Sequence, residues 1–370
     1  MNIINNYLPA FVVAALICGG LTFYVKKMAE KFKLTDLPSP RKIHTKPIPR
    51  LGGVAIVITV IGLVLAYSLA SQRLSFTSFH VWVFDKRLLG ALIGAGILFV
   101  VGIIDDVWGM KPWQKLIGHF LAAGMVVVFG LGIDYIRFFG GHIIYLNHFL
   151  IPITLFGYHY TIVFWGDLLT IFWIILLINT VNFLDGLDGL AAGVSLIAGL
   201  SLFFLSLSLN QPAVALLAII FSGALTGFLP WNFNPARIFM GDTGSQFLGY
   251  MLAILSIISG GKIATAFLIL GLPLLDVIWV VGRRVFHGSS PFTADKLHLH
   301  HRFLKIGLTQ RQTVLVLYLI AAFFGTLAVV SGISGTKVKS EAFLGLLGLM
   351  LALVIMLIVL EYRRRARNVE

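Results

Sequence analysis

Four short acid-bearing segments stand where long apolar runs end. They are GIIDDVWGM (Asp105, Asp106), NTVNFLDGLDGLAAG (Asp185, Asp188), FNPARIFMGDTGS (Asp242) and DKLHLHHRF (Asp295, His298, His300, His301). A carboxylate held beside hydrocarbon is costly and marks function by default. Carboxylates and histidines gathered on one face of a membrane point to a metal-dependent site whose substrate is partly lipid.

Asp105 and Asp106 follow an apolar helix. Neighbouring helical residues point about 100° apart, so the two acids cannot do the same job. One can face the site while the other orients a lysine or a metal. The plainer alternative is an interfacial pair that ends the helix. Lys111 and Lys115 follow closely and can neutralise a phosphate. Asn179 and Asn182 are one helical step apart, and Asp185 and Asp188 repeat the step. Asn179, Asn182 and Asp185 thus form a rough polar stripe on an apolar helix. Gly186 and Gly189 break the helix and let a ligand approach the backbone. Helix–helix glue is the bland reading of such polar residues.

The third segment puts Arg237, Phe239 and Asp242 in one loop. Asp242 either caps the following helix or holds Mg²⁺, which takes oxygen ligands and keeps waters and substrate phosphates. Phe239 either stacks on a base or anchors at the interface. In the fourth, His298, His300 and His301 lack the HExxH spacing and any cysteine partner, which argues against zinc. Beside Lys296, Arg302 and Lys305 they suit a diphosphate, or anionic head groups. A fifth segment, 34–53, combines Asp36, Pro38, Arg41, Lys42, His44 and Gly52–Gly53. Its cations suit a lipid phosphate. A basic cytoplasmic loop explains the charge equally well, but not the two glycines.

These groups need elements to place them. The chain has 370 residues, 58% of them hydrophobic and only 12% charged, with a mean hydropathy of +0.95. That is an all-α polytopic integral membrane protein. About eleven spans are expected: 7–25, 51–70, 88–104, 115–132, 167–184, 189–208, 211–229, 245–259, 263–281, 313–332 and 342–360. The first lacks a basic n-region and cleavage site, so it reads as a retained helix, not a signal peptide. With the N-terminus outside and the C-terminus cytoplasmic, 21 of the 28 Lys and Arg fall on the inner side, as the positive-inside rule requires. All five segments then face the cytoplasm.

Residues 133–166 form the longest external stretch. Aromatic and β-branched runs around Gly-Gly predict a small hairpin there. His142, His148 and His159 read as surface residues. Residues 1–370 read as a single transmembrane domain. The net charge of +13 clusters at helix ends and accompanies no nucleic-acid motif. The lone Cys18 excludes an intrachain disulfide and a cysteine metal site.

Oxygen ligands for Mg²⁺, cations for phosphates and an aromatic ring for a base fit one chemistry. It is phosphoryl transfer from a nucleotide-activated donor to a phosphate in the membrane. An ion-coupled transporter is the reading from another class. It would want mid-membrane charges on broken, repeated helices, and Asp276 alone suits it. A zinc enzyme built on the histidines is the third.

The motifs DxPxxRKxH…GG at 36–53, DD at 105–106, NxxNFxDGLDGLAxG at 179–193, MGDTGS at 240–245 and HxHHRF at 298–303 cover nearly the whole chain. Together they resemble the polyprenyl-phosphate N-acetylhexosamine-1-phosphate transferases. The resemblance implies ten or eleven spans, a cytoplasmic active site and Mg²⁺, with Mn²⁺ as a substitute. It implies a UDP-N-acetylhexosamine donor, an undecaprenyl phosphate acceptor and UMP as product, in the inner membrane of a bacterium. A homodimer is compatible with it.

By motif position, Asp105 is the base or the acceptor-phosphate partner, with Asp106 beside it. Asn182 and Asp242 are the Mg²⁺ ligands. Phe239 stacks on uracil and Asp188 accepts from its N3–H. Lys115, His300 and His301 contact the diphosphate, and Asp185 supports the metal region. Asn179, Arg237, His298, Arg302, Arg41, Lys42 and His44 complete the substrate-binding set. Leu299 interrupts the histidine run that is three long in the phospho-MurNAc-pentapeptide enzymes. The likeness is therefore nearer the GlcNAc-1-phosphate enzymes that prime teichoic acid or O-antigen synthesis, with peptidoglycan synthesis as the alternative.

Overall fold

A computed structural model describes residues 3–36, 46–76, 80–81, 83–137, 143–155, 158–258, 266–267, 269–286 and 303–333, with eight positions between 344 and 359. Ten helices are defined among them. They are α1 (Ile3–Lys31), α2 (Gly52–Ala70), α3 (Lys86–Trp108), α4 (Pro112–Val128), α5 (Phe164–Leu184), α6 (Leu190–Ser208), α7 (Pro212–Asn232), α8 (Gly241–Ile258), α9 (Gly271–Phe286) and α10 (Gln310–Ile333). Seven of these, α1–α3, α5–α7 and α10, are long and apolar enough to cross a membrane. The first ten expected spans each overlap one helix. The eleventh, 342–360, lies largely outside the described residues.

The helices form because nothing interrupts long apolar runs, and in hydrocarbon every backbone polar group must bond within its own segment. Where the runs end, capping chemistry takes over. Asp85 accepts from the amides of Arg87 and Leu88 and starts α3. At its far end Gly109, at φ +74°, leaves the helix by donating to Asp105 O. Lys111 then starts α4 with Pro112 at its first position.

The segment between α4 and α5 is more ordered than one hairpin. It holds two antiparallel pairs, β5 (Tyr135–Arg137) with β6 (Ile143–Tyr145) and β7 (Leu150–Leu155) with β8 (Tyr158–Val163). Two shorter pairs occur elsewhere. β1 (Thr35–Asp36) pairs with β2 (Ile48–Pro49), and β3 (His80–Val81) with β4 (Phe84–Asp85). His148 is exposed, as expected, while His142 lies outside the described residues.

The centre of the bundle is α8, buried without a break from Thr243 to Ile257. α2, α3 and α5 reach it through glycines. A Cβ on Gly53 of α2 would sit 2.1 Å from Gly244 N. One on Gly102 of α3 would sit 2.5 Å from Thr243 Cα, and Gly249 of α8 meets Leu177 O at 2.4 Å. Real Cβ atoms do not come so near, so these glycines are where backbones touch. That explains the Gly52–Gly53 pair, which charge alone left unexplained.

Gly53→Val should therefore abolish the folded protein, because the neighbour is backbone and cannot yield. Gly62→Ala, with nothing within 4 Å of its Cβ, should leave the yield and melting temperature unchanged. Size-exclusion profiles and melting of the two variants check this pair.

Candidate active site

The C-terminal end of α3, the turn 109–111 and the start of α4 bring Asp105 and Lys115 together. Lys115 Nζ bridges Asp105 and Asp242, at 2.5 Å from Asp242 Oδ2. Asp105 also accepts from Met110 N at 2.7 Å, which fixes its carboxylate against the turn. Asn182, on the last turn of α5, donates to Asp242 Oδ1 at 3.0 Å and to Ser245 Oγ at 2.8 Å. α4 and α5 thus meet at a single carboxylate on the first turn of α8.

Asp106 does a different job, as the 100° separation requires. Its carboxylate accepts from Asp242 N at 2.8 Å, Thr243 N at 3.0 Å and Thr243 Oγ1 at 2.6 Å. Those amides open α8, whose first turn has no partners of its own. The cap of α8 is thus supplied across the bundle by α3. Asp242 is not the cap, so its side chain is left to Lys115 and Asn182.

Asp188 lies in the turn between α5 and α6. Its Oδ2 accepts from Asn234 Nδ2 at 2.9 Å and Ala236 N at 3.0 Å. It therefore holds the loop between α7 and α8. The same loop is seamed to the start of α2: Phe239 N donates to Pro49 O, Gly52 N to Phe239 O and Gly53 N to Met240 O. Phe239 is half-buried at the cavity wall, and Arg237 is exposed there.

These groups line an open cavity of about 1370 Å³. Asp105, Asp106, Lys115, Asn182, Asp185, Asp188, Arg237, Phe239 and Asp242 all contribute to its wall. Asn179 does not. Its side chain donates back to Ile175 O of its own helix, so the stripe expected from spacing ends at Asn182. Arg41, Lys42, His44, His298, His300, His301 and Arg302 lie outside the described residues. Asp276 lines a separate small cleft with Thr180, Phe183 and Leu317.

The cavity also contains residues that spacing did not single out. Arg50 is ion-paired to buried Asp36 at 2.6 Å and stands on the wall. Asn234 and Gln310 bond each other there at 2.8 Å. Arg50 adjoins the Gly-Gly pair, the one signal that could have marked it. Asn234 and Gln310 are 76 residues apart, and no local pattern joins them.

The backbone N–H of Asp185 donates to Asn182 O at 3.2 Å, whereas its carboxylate has no hydrogen-bond or ion-pair partner among the described residues. Burial pushes its carboxyl well above the usual carboxylate range, and the charges of Asp242, Asp106 and Asp188 push it further. Arg50 opposes this in part. Among the described residues no three His, Cys, Asp or Glu side chains converge as a ready metal shell.

The raised Asp185 carboxyl gives a stability prediction. Its ionised form is disfavoured in the folded state, so ionisation costs stability as pH rises past the unfolded value. Asp185→Asn should melt higher than the parent at pH 8, with the gain shrinking toward pH 4. Equal shifts at both pH values would mean that the charge is not what costs stability.

Residues 88–260 match the family model described as glycosyl transferase family 4. The chain is 35% identical to a protein of Bacillus subtilis named "Probable undecaprenyl-phosphate N-acetylglucosaminyl 1-phosphate transferase", covering 87% of this chain and 84% of that one. It is 34% identical to the decaprenyl-phosphate N-acetylglucosaminephosphotransferase of Mycolicibacterium smegmatis, over 83% and 78% of the two chains. It is 27% identical to the undecaprenyl-phosphate alpha-N-acetylglucosaminyl 1-phosphate transferase of Escherichia coli, over 84% and 79%. A multi-pass chain with this much shared sequence, and with DD, DGLDG and MGDTGS on one cavity, belongs to glycosyl transferase family 4.

Proposed function

We propose that the protein transfers N-acetylglucosamine 1-phosphate from UDP-GlcNAc to undecaprenyl phosphate, releasing UMP. The observation that carries this is the Lys115 ammonium between Asp105 and Asp242, at a helix end on the wall of a large open cavity. Such a site can meet a lipid phosphate at the bilayer edge and a nucleotide from water. The relatives' names supply the sugar and the lipid.

In the reaction, an oxygen of the acceptor phosphate attacks the sugar-bearing phosphorus of the donor. A new P–O bond forms, and the P–O bond to the uridine-side phosphate breaks. UMP leaves with the bridging oxygen. The acceptor monoester is already largely ionised near neutral pH, so Asp105 need not be a strong base. Its work is to orient the attacking phosphate through Lys115. Lys115 and Arg50 neutralise phosphate charge, and Phe239 presents a ring to the uracil. Asp188 acts through the loop that carries Phe239, by holding Asn234 and Ala236.

The carboxylates suit a divalent cation. Asp242 and Asp105 present oxygens around a point where a lysine cation now neutralises both, and Asn182 turns its Nδ2 to Asp242, so its amide would have to flip to offer its oxygen. Mg²⁺ commonly uses one or two carboxylates plus waters and substrate phosphates. Asp242 and Asn182 would hold it, and it would offset charge on the diphosphate. Lysine and arginine asymmetry supports eleven spans with this end of the bundle in the cytoplasm. The whole chain then acts as one transmembrane domain.

The test is label transfer by the purified protein in detergent with undecaprenyl phosphate and Mg²⁺. Butanol-soluble label from UDP-[¹⁴C]GlcNAc, with UMP released, is the expected result. Label only from UDP-MurNAc-pentapeptide would replace the sugar, and label from neither would overturn the reading. Asp242→Asn should lose at least about a hundredfold in kcat while still inserting and purifying. Phe239→Ala should raise the KM for the nucleotide more than that for the lipid. The reverse pattern would remove the stacking role.

A further inference from the structure

One buried polar group lies directly behind the site and has no place in the chemistry above. His119 is 4% exposed on α4. Its Nε2 stands 3.3 Å from Gln246 Oε1 on α8. Its Nδ1 is buried with no hydrogen-bond partner among the described residues. A buried polar atom without a partner keeps its full desolvation penalty. An apolar side chain of similar size would avoid that cost, so packing alone does not explain a histidine here.

The spacing does explain it. His119 is one helical turn beyond Lys115, and Gln246 is one turn beyond Asp242. Lys115–Asp242 and His119–Gln246 are therefore two matched rungs between the same pair of helices. They are the two polar side-chain links described between α4 and α8. Gly94 leaves room for the next position of α8, Tyr250, whose hydroxyl donates to Ala91 O of α3 at 2.8 Å. The 242, 246 and 250 face of α8 thus hooks the α3–α4 hairpin at three levels. Only the first rung touches the cavity.

We propose that His119 is a positioning residue for the transfer. Through Gln246 it fixes the axial register of α4 on α8, and so keeps the Lys115 ammonium between Asp105 and Asp242. The proposal rests on the functional reading for its kinetic arm only.

The test uses full-length protein with His119→Leu, His119→Gln, Gln246→Leu and the Leu/Leu double variant. Reaction of Lys115 with an amine-directed reagent, followed by mass spectrometry, reports whether the ammonium has left its acids. His119→Leu and Gln246→Leu should each speed labelling several-fold. His119→Gln, which returns a donor at the Nε2 position, should label like the parent.

In turnover, His119→Leu should lower kcat by a factor of roughly ten while the KM for the nucleotide changes little. The double variant should be no worse than either single one, because the two residues act as one unit. Parental labelling in both Leu variants overturns the proposal, and so do losses that multiply in the double variant. A lower melting temperature with unchanged kcat and labelling shows a structural role alone and also overturns it. If the parent transfers no sugar phosphate, the functional reading fails, and the labelling arm still decides the positioning role.

Discussion

The structure depends on how the N-terminus of α8 is satisfied. That helix starts inside the protein, and its first amides have no partners along the helix. The Asp106 carboxylate reaches them from α3 and accepts three hydrogen bonds. A negative charge at a helix N-terminus is favourable, and more so where water is scarce. The bond also sets the chemistry. With its backbone held by Asp106, Asp242 presents its side chain to Lys115 and Asn182.

Close approach of backbones makes this arrangement possible. Lipid tails are as apolar as side chains, so helices in a membrane associate through packing and polar contacts. Glycines at 53, 102 and 249 remove the atoms that would keep α2, α3 and α5 away from α8. The loop between α7 and α8 is then tied on two sides, to Asp188 and to the Pro49–Gly53 segment. Phe239, in that loop, and Asp242, on the first turn of α8, therefore sit on rigid backbone. Preorganisation of this kind lets electrostatics act on charge as it shifts.

The wall holds more acid than its bound cations offset. Asp105 and Asp242 share one lysine, Arg50 serves Asp36, and the Asp185 carboxylate is left without a hydrogen-bond or ion-pair partner among the described residues. Like charges this close raise the cost of ionisation, as the carboxyl of Asp185 shows. In the proposed reaction a divalent cation would meet these acids, and the lysines and arginines of the wall would meet the phosphates.

Much of this was legible in the chain. Apolar runs gave the helices, because the hydrocarbon dictates their length and allows no unpaired backbone. Acids and asparagines at the ends of those runs marked the cavity, because charge avoids the bilayer centre. Adjacent Asp105 and Asp106 had to diverge, because a helix turns by about 100° per residue. Local spacing could not settle which of the two served the chemistry. It also placed Asn179 beside Asn182, whereas Asn179 turns back to Ile175 O. Arg50, Asn234, Gln310 and His119 escaped notice because their partners are on other elements, up to 127 residues away for His119. The sequence by itself determined where the long apolar helices lie and which of their ends carry charge, since both follow from solvation residue by residue. Only the tertiary structure decided that Asp106 caps α8 and that Lys115 joins Asp105 to Asp242. Those choices depend on helices meeting at glycines, and a linear pattern does not encode such distances.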